Sequence, residues 1–334
     1  MRSLPTFRRL LVVAFVLLAA ASAARAQTTI DVNAASYTVN GGVTTYNFAP
    51  LQVAGSGGSL FLSDSRADQQ TGQYGDDFVG GSTSNPGFMM QYGQINGVDY
   101  VAFRLRYNEY NPTSYDNNAK TRLGMDGDGD GDIDLFFGVD FHNNSAPTIG
   151  FQAPGTGLNV SPSTTSIGNN FIPTFEAGES SLAQSYLTLQ DGVTFSYMQV
   201  TEANTPGFTN FASGKAGTPD ADAYMTFAVP FLYLQEALQD LSGVNITPSS
   251  FVRFIAFTST QNNSINQDIF GSNGISGSVR FDAPGGGFTE YTDATGSPVP
   301  EPATYAQVGT LLGIGGFLWL KRRRQTRQVA TQAV

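Results

Sequence analysis

The chain has no cysteine, one histidine and one tryptophan in 334 residues. The missing cysteine excludes disulfide staples, thiolate metal sites and thiol nucleophiles, so the fold must rest on its core or on a metal held by harder ligands. The single histidine, His142, leaves little room for a Ser-His-Asp triad, and no G-x-S-x-G elbow accompanies it. No P-loop or dinucleotide glycine fingerprint occurs. The one tryptophan, Trp319, lies in the C-terminal apolar segment, away from any sugar-stacking platform in the body.

The two ends carry an address. Arg2, Arg8 and Arg9 precede the apolar run Leu10–Ala20, and Ala24-Arg25-Ala26 fits a small-residue cleavage site. That order predicts a signal peptide over 1–26 and a mature start at Gln27; an uncleaved N-terminal anchor is the alternative. At the other end stand Val299, Pro300, Glu301 and Pro302, then eighteen residues from Ala303 to Leu320 whose only ionisable group is the Tyr305 phenol. Lys321, Arg322, Arg323, Arg324 and Arg327 follow, then a polar tail over 328–334. About 20 apolar helical residues span a bilayer, so 303–320 reads as a short transmembrane helix. Its basic end stays cytoplasmic, with Trp319 at the interface. A buried helix of a soluble domain seldom ends in four consecutive cations.

The succession of motif, apolar helix and basic stop over 299–327 resembles the PEP-CTERM sorting signal of Gram-negative bacteria. The resemblance implies recognition of Pro300-Glu301-Pro302 by an exosortase-type protease-transpeptidase. It further implies transient residence in the inner membrane, loss of the helix, and transfer of the body to the cell surface or extracellular matrix. Left unprocessed, the same residues would make an ordinary single-pass anchor.

Between the two signals lie a body over 27–292 and a linker over 293–298. Of 17 basic and 27 acidic residues, four cations fall in the signal, five in the basic stop, and one acid, Glu301, in the motif. Body and linker together keep 8 cations and 26 acids, a net of −18. Such a surface repels nucleic acid and anionic membranes and attracts divalent cations.

The body is rich in Gly, Asn, Ser, Thr, Tyr and Phe, a composition suited to turns and strands. Val101–Tyr107 places apolar side chains on one face and Arg104 and Arg106 on the other. Ile133–Phe141 and Val193–Tyr197 alternate in the same way, as half-buried antiparallel strands do. Phe251–Thr258 is apolar on both faces and reads as a central strand. Further strands are expected over Thr44–Phe48, Ser59–Leu62, Phe88–Tyr92, Ala223–Val229, Ser278–Asp282 and Phe288–Tyr291, and a long polar loop over Thr156–Pro173. One helix is expected, with Pro230 in its first turn, Phe231, Leu234, Leu238 and Leu241 on one face, and Gly243 as its stop. About eleven strands and one helix predict an all-β, two-sheet antiparallel sandwich, with the C-terminal transmembrane helix outside it.

The strongest chemical motif is Asp126-Gly-Asp128-Gly-Asp130-Gly-Asp132-Ile-Asp134. Carboxylates at alternate positions of a tight loop supply the hard oxygens that Ca²⁺ requires. Asp126, Asp128 and Asp130 would offer side chains, Asp132 its backbone carbonyl, and Asp134 the closing carboxylate. Phe137 stands where an EF-hand has its bidentate Glu, and strands flank the loop. The pattern resembles the calcium loops between strands of integrin-type propellers and thrombospondin repeats. A solvated acidic hairpin is the alternative.

The order of Ala102-Phe103-Arg104-Leu105-Arg106, the aspartate turn, Ala228-Val229-Pro230-Phe231 and Thr258-Ser259-Thr260-Gln261-Asn262 resembles bacterial surface domains related to DOMON and carbohydrate-binding module 9. Members of that group bind sugars or haem, or build surfaces. Tyr74, Tyr92, Tyr110 and Tyr115 are candidate sugar platforms and His142 a candidate haem ligand; ordinary packing and turn roles compete with both. Asp64, Asp68, Asp76, Asp77, Glu176 and Glu179 are candidate hydrolytic carboxylates, and Gly72–Gly81 a further ligand loop or a turn. The reading that follows is a non-enzymatic structural or adhesive surface protein stabilised by Ca²⁺. A carbohydrate-binding module with exopolysaccharide as partner is the alternative, and an extracellular hydrolase comes third.

Overall fold

A computed structural model of the protein describes residues 28–293, except 53–63, 71–73, 82–84, 112–119, 141–146, 172–186, 210–220, 262, 273, 276–278 and 284–285. The expected signal peptide, the expected sorting signal, the expected strand Ser59–Leu62, His142, Glu176 and Glu179 therefore lie outside the described residues. Among the described residues no helix is long and apolar enough to cross a membrane.

Period-two sequence becomes sheet. One five-stranded antiparallel sheet runs β11 (Phe195–Gln199), β12 (Ala223–Pro230), β5 (Val98–Tyr107), β4 (Phe88–Ile95), β3 (Ala49–Pro50). A seven-stranded sheet runs β10 (Leu187–Thr188), β8 (Thr148–Pro154), β7 (Leu135–Asp140), β6 (Lys120–Asp126), β13 (Arg253–Ser259), β14 (Asp268–Ile269), with β9 (Ile167–Phe171) also on β8. β1 (Tyr37–Asn40) and β2 (Val43–Tyr46) form a separate hairpin. Helix α1 (Phe231–Ser242) starts after Pro230 and stops at Gly243, whose φ of 73° places it in the left-handed region. Pro230 is the N-cap residue, one position earlier than expected. β4 and β5 join through Asn96-Gly97, with φ of 52° and 81°, a two-residue turn that needs positive φ at both positions.

The two sheets share one core. Val101, Phe103, Leu105 and Tyr107 of β5 meet Leu123, Met125, Leu135, Phe137 and Phe254 of the other sheet. Phe103 is the pivot, with ring centroids 5.4 Å from Phe137 and 5.0 Å from Phe254. Each such side chain contributes about 1.5–3 kcal/mol by leaving water. The fold is thus all-β and sandwich-like, with α1 closing the core through Phe231, Tyr233, Leu234, Ala237 and Leu238.

The expectation of half-buried strands is corrected. Both sheets carry a second apolar layer outside. Ala102, Tyr224 and Ala228 pack with Ile30, Val32 and Phe48 on the five-stranded sheet. Phe136, Ile255 and Phe257 pack with Ile269, Phe281 and Phe288 on the other. Arg104 and Arg106, expected on a solvent face, are fully buried, Arg104 beneath the N-terminal segment. Arg104 donates to the carbonyls of Val32 and Ala34 and the hydroxyls of Ser36 and Thr226, and lies 3.9 Å over the Phe48 ring. Arg106 pairs with buried Asp222. A buried guanidinium persists because every donor direction finds an acceptor or a π face.

β13 is central and buried on both faces, as its sequence implies. The polar stretch 156–173 is not all loop, since β9 lies in it. Residues 279–282 and 288–291 form turns and isolated pairings instead of strands.

Candidate functional site

β6 and β7 are neighbours at the centre of the seven-stranded sheet, and the aspartate run joins them. Met125 pairs with Leu135, so the ladder closes directly beneath the loop, and the Asp134 amide donates to the Met125 carbonyl at 2.7 Å. Gly129 and Gly131 take φ of 86° and 97°, which L-residues avoid. A Cβ at residue 131 would also stand 3.3 Å from Nη2 of Arg253.

The carboxylates organise the loop through their own backbone. Asp126 Oδ1 accepts from the Gly129 amide at 2.7 Å. Its Oδ2 accepts from the Gly131 amide at 3.1 Å and from Nε of Arg253 at 2.7 Å. Asp128 accepts from the Asp130 amide, Asp130 from the Asp132 amide, and Asp134 from the Gly127 amide. Behind the loop the Arg253 guanidinium lies 4.7 Å over Phe288 and 4.9 Å over Tyr291, and the Tyr291 hydroxyl donates to the Gly129 carbonyl. Sequence reasoning missed this backing. Arg253, Phe288 and Tyr291 carry no local pattern that points to residue 126.

Asp126, Asp128 and Asp130 each bring one oxygen to within 4.8 Å of the others. One Ca²⁺, with oxygens about 2.3–2.6 Å away, spans such a set. Asp132 and Asp134 are not part of that trio. Asp126 is buried, whereas Asp128 and Asp130 are exposed, so the open side of any site faces outward. Burial pushes the Asp126 carboxyl up against the opposing pull of Arg253. Asp134 is pushed up to about 6, first by burial and then by repulsion from Asp128, Asp126 and Asp130. Asp132 is raised by desolvation, then by Asp130 and Asp126.

The other candidates divide. Tyr92 packs edge-on to Phe231, and Tyr110 stacks on Tyr197 with centroids 5.5 Å apart, both at the margin of the main core. The side chains of Tyr74 and Tyr115 lie outside the described residues. Asp64, Asp68 and Asp77 do come together beside Asp268 of β14, and Asp76 ends the turn Tyr74–Asp76. Asp268 was not singled out from the sequence. No protein-family model, curated protein or solved structure matches the chain.

Proposed function

We propose that the protein is an exported structural or adhesive component of the cell surface or extracellular matrix of a Gram-negative bacterium. In this reading an exosortase-type enzyme sorts it through residues 299–327 after a transient stay in the inner membrane. Its working part is the cysteine-free sandwich, which binds and spaces rather than catalyses, and Ca²⁺ at the Asp126 loop stiffens it.

The carrying observation is the placement of three carboxylate oxygens within 4.8 Å at the turn between two central strands. A cation there offsets the repulsion of the aspartates and ties the hairpin's turn without a disulfide. The net charge of −18 over body and linker favours cations over nucleic acid as partners.

Calcium titration of the full chain is the direct test. Asp128→Ala with Asp130→Ala should bind one Ca²⁺ fewer per chain than the parent; an unchanged stoichiometry overturns the loop as a site. For sorting, Glu301→Ala should stay in the membrane fraction of exosortase-bearing cells while the parent is released. Equal release of both would leave only a plain anchor.

A further inference from the structure

A second set of carboxylates lies where the two sheets meet at one end. Asp64 and Asp68 bracket one loop, Asp77 follows the turn Tyr74–Asp76, and Asp268 opens the edge strand β14. Phe78 bridges to Tyr107 at the end of β5, and its amide donates to Oδ2 of Asp268 at 2.7 Å. Asp64 bridges to Gly80. The cluster therefore stands between the last residue of β5 in one sheet and the edge of the other.

Asp64, Asp68 and Asp268 each offer an oxygen within 4.8 Å of the other two. Backbone amides hold one side of the group: Gly274 on Asp68 at 2.8 Å, Ile269 on Asp268 at 2.8 Å, Gly271 on Asp64 at 3.4 Å. Asp77 accepts from the Ala67 amide at 2.7 Å and from the Asn108 side-chain amide at 2.6 Å.

A second observation points to a ligand. Asp77 and Asn108 are fully buried and Asp64 is 5% exposed. Yet Oδ2 of Asp64, Oδ1 of Asp77 and Oδ1 of Asn108, together with the buried Oδ1 of Asp68, have no hydrogen-bond partner among the described residues. The described charges that act most on Asp64 are Asp268, Asp68 and Asp77, all of one sign. Those raising Asp268 are Asp68 and Asp77. A buried charge left unpaired costs several kcal/mol. Three carboxylates with an oxygen each within 4.8 Å of the others, beside Asp77 and Asn108 with empty acceptor positions and no described cation among the groups that act most on them, need a positive centre. All donors are hard oxygens from four separate segments, which suits the flexible, high coordination of Ca²⁺ better than the strict octahedron of Mg²⁺.

We propose that Asp64, Asp68, Asp77 and Asp268, with the side-chain oxygen of Asn108, form a second Ca²⁺ site that fastens the edge of the seven-stranded sheet to the end of β5. The site is separate from the Asp126 loop and does not depend on it.

The full chain carrying Asp128→Ala and Asp130→Ala, stripped with EGTA and titrated calorimetrically with Ca²⁺ alone, tests it. That variant should retain Ca²⁺ binding, and adding Asp64→Asn should weaken it about tenfold or more, since affinity follows ligand charge. In EGTA, Asp64→Asn should melt no lower than its parent, because it removes repulsion; in Ca²⁺ it should melt lower. If Asp64→Asn fails to fold, Asp68→Asn, which is only half-buried, carries the same expectation. Loss of all Ca²⁺ binding in the loop variant overturns this site while leaving the loop site standing. Affinity unchanged by the substitution at 64 or 68, or a lower melting point in EGTA, overturns it equally.

Discussion

The chain holds two acidic clusters, and they solve the same electrostatic problem differently. At the Asp126 loop, one buried carboxylate is paired with Arg253 and accepts from three donors, which leaves a lone pair on Oδ1, and the remaining acids reach water. Around Asp64 and Asp268 the carboxylates are buried together, and the charges acting on them repel. The first arrangement can stand without metal, with its open carboxylates at the outer lip. Among the described residues no cation stands out among the charges acting on the second. Burial with a partner makes a strut, whereas burial without one makes a receptor for a cation.

The largest expected effect comes from converting the first kind of site into the second. Arg253→Met should leave Asp126 buried and uncompensated and cost about 3–5 kcal/mol in chelator, measured by denaturant unfolding. Added Ca²⁺ should restore part of that loss. A variant as stable as the parent would show that Arg253 does not neutralise the loop.

The next effect is a pH dependence that the cation should remove. Burial, then mutual repulsion, holds Asp64 and Asp268 well above 3.8, and burial chiefly raises Asp77 to about 7. A carboxyl raised in the folded state contributes stability that is full below its unfolded value and is lost as pH rises through the folded one. In EGTA the melting temperature should therefore fall between about pH 5 and about pH 8. In Ca²⁺ the fall should shrink or reverse, because the metal binds the ionised form. Melting curves that show the same slope with and without Ca²⁺ would contradict it.

The smallest expected effect separates loop geometry from charge. Gly131→Ala keeps every carboxylate but places a Cβ at φ of 97°, with Arg253 3.3 Å away. It should cost about 1 kcal/mol or somewhat more, read from the denaturation midpoint. A neutral outcome would mean that the turn relaxes without its glycine.

Much of the inner core was legible in the sequence. Alternation in 101–107 and 133–141 placed Phe103 and Phe137 on facing surfaces, and three-to-four spacing with Gly243 bounded the helix. The outer layers were not legible. Arg104 and Arg106 look like solvent residues because their acceptors come from distant chain, from Val32 and Ala34 in one case and Asp222 in the other. β9 is too polar to announce itself and pairs with the edge of β8.

The two clusters mark the same boundary. The Asp126 loop is written in nine consecutive residues, so spacing alone determined its turn, its glycines and its candidate ligands. Asp64 and Asp268 stand 204 positions apart, and each is unremarkable where it occurs. Only the closing of β14 onto β13 and of Phe78 onto Tyr107 brings them within 4.8 Å. Local sequence sets propensity, period and turn chemistry because those act over a few residues. Tertiary structure decides which charges are stripped of water together, because desolvation depends on what the rest of the chain lays over them.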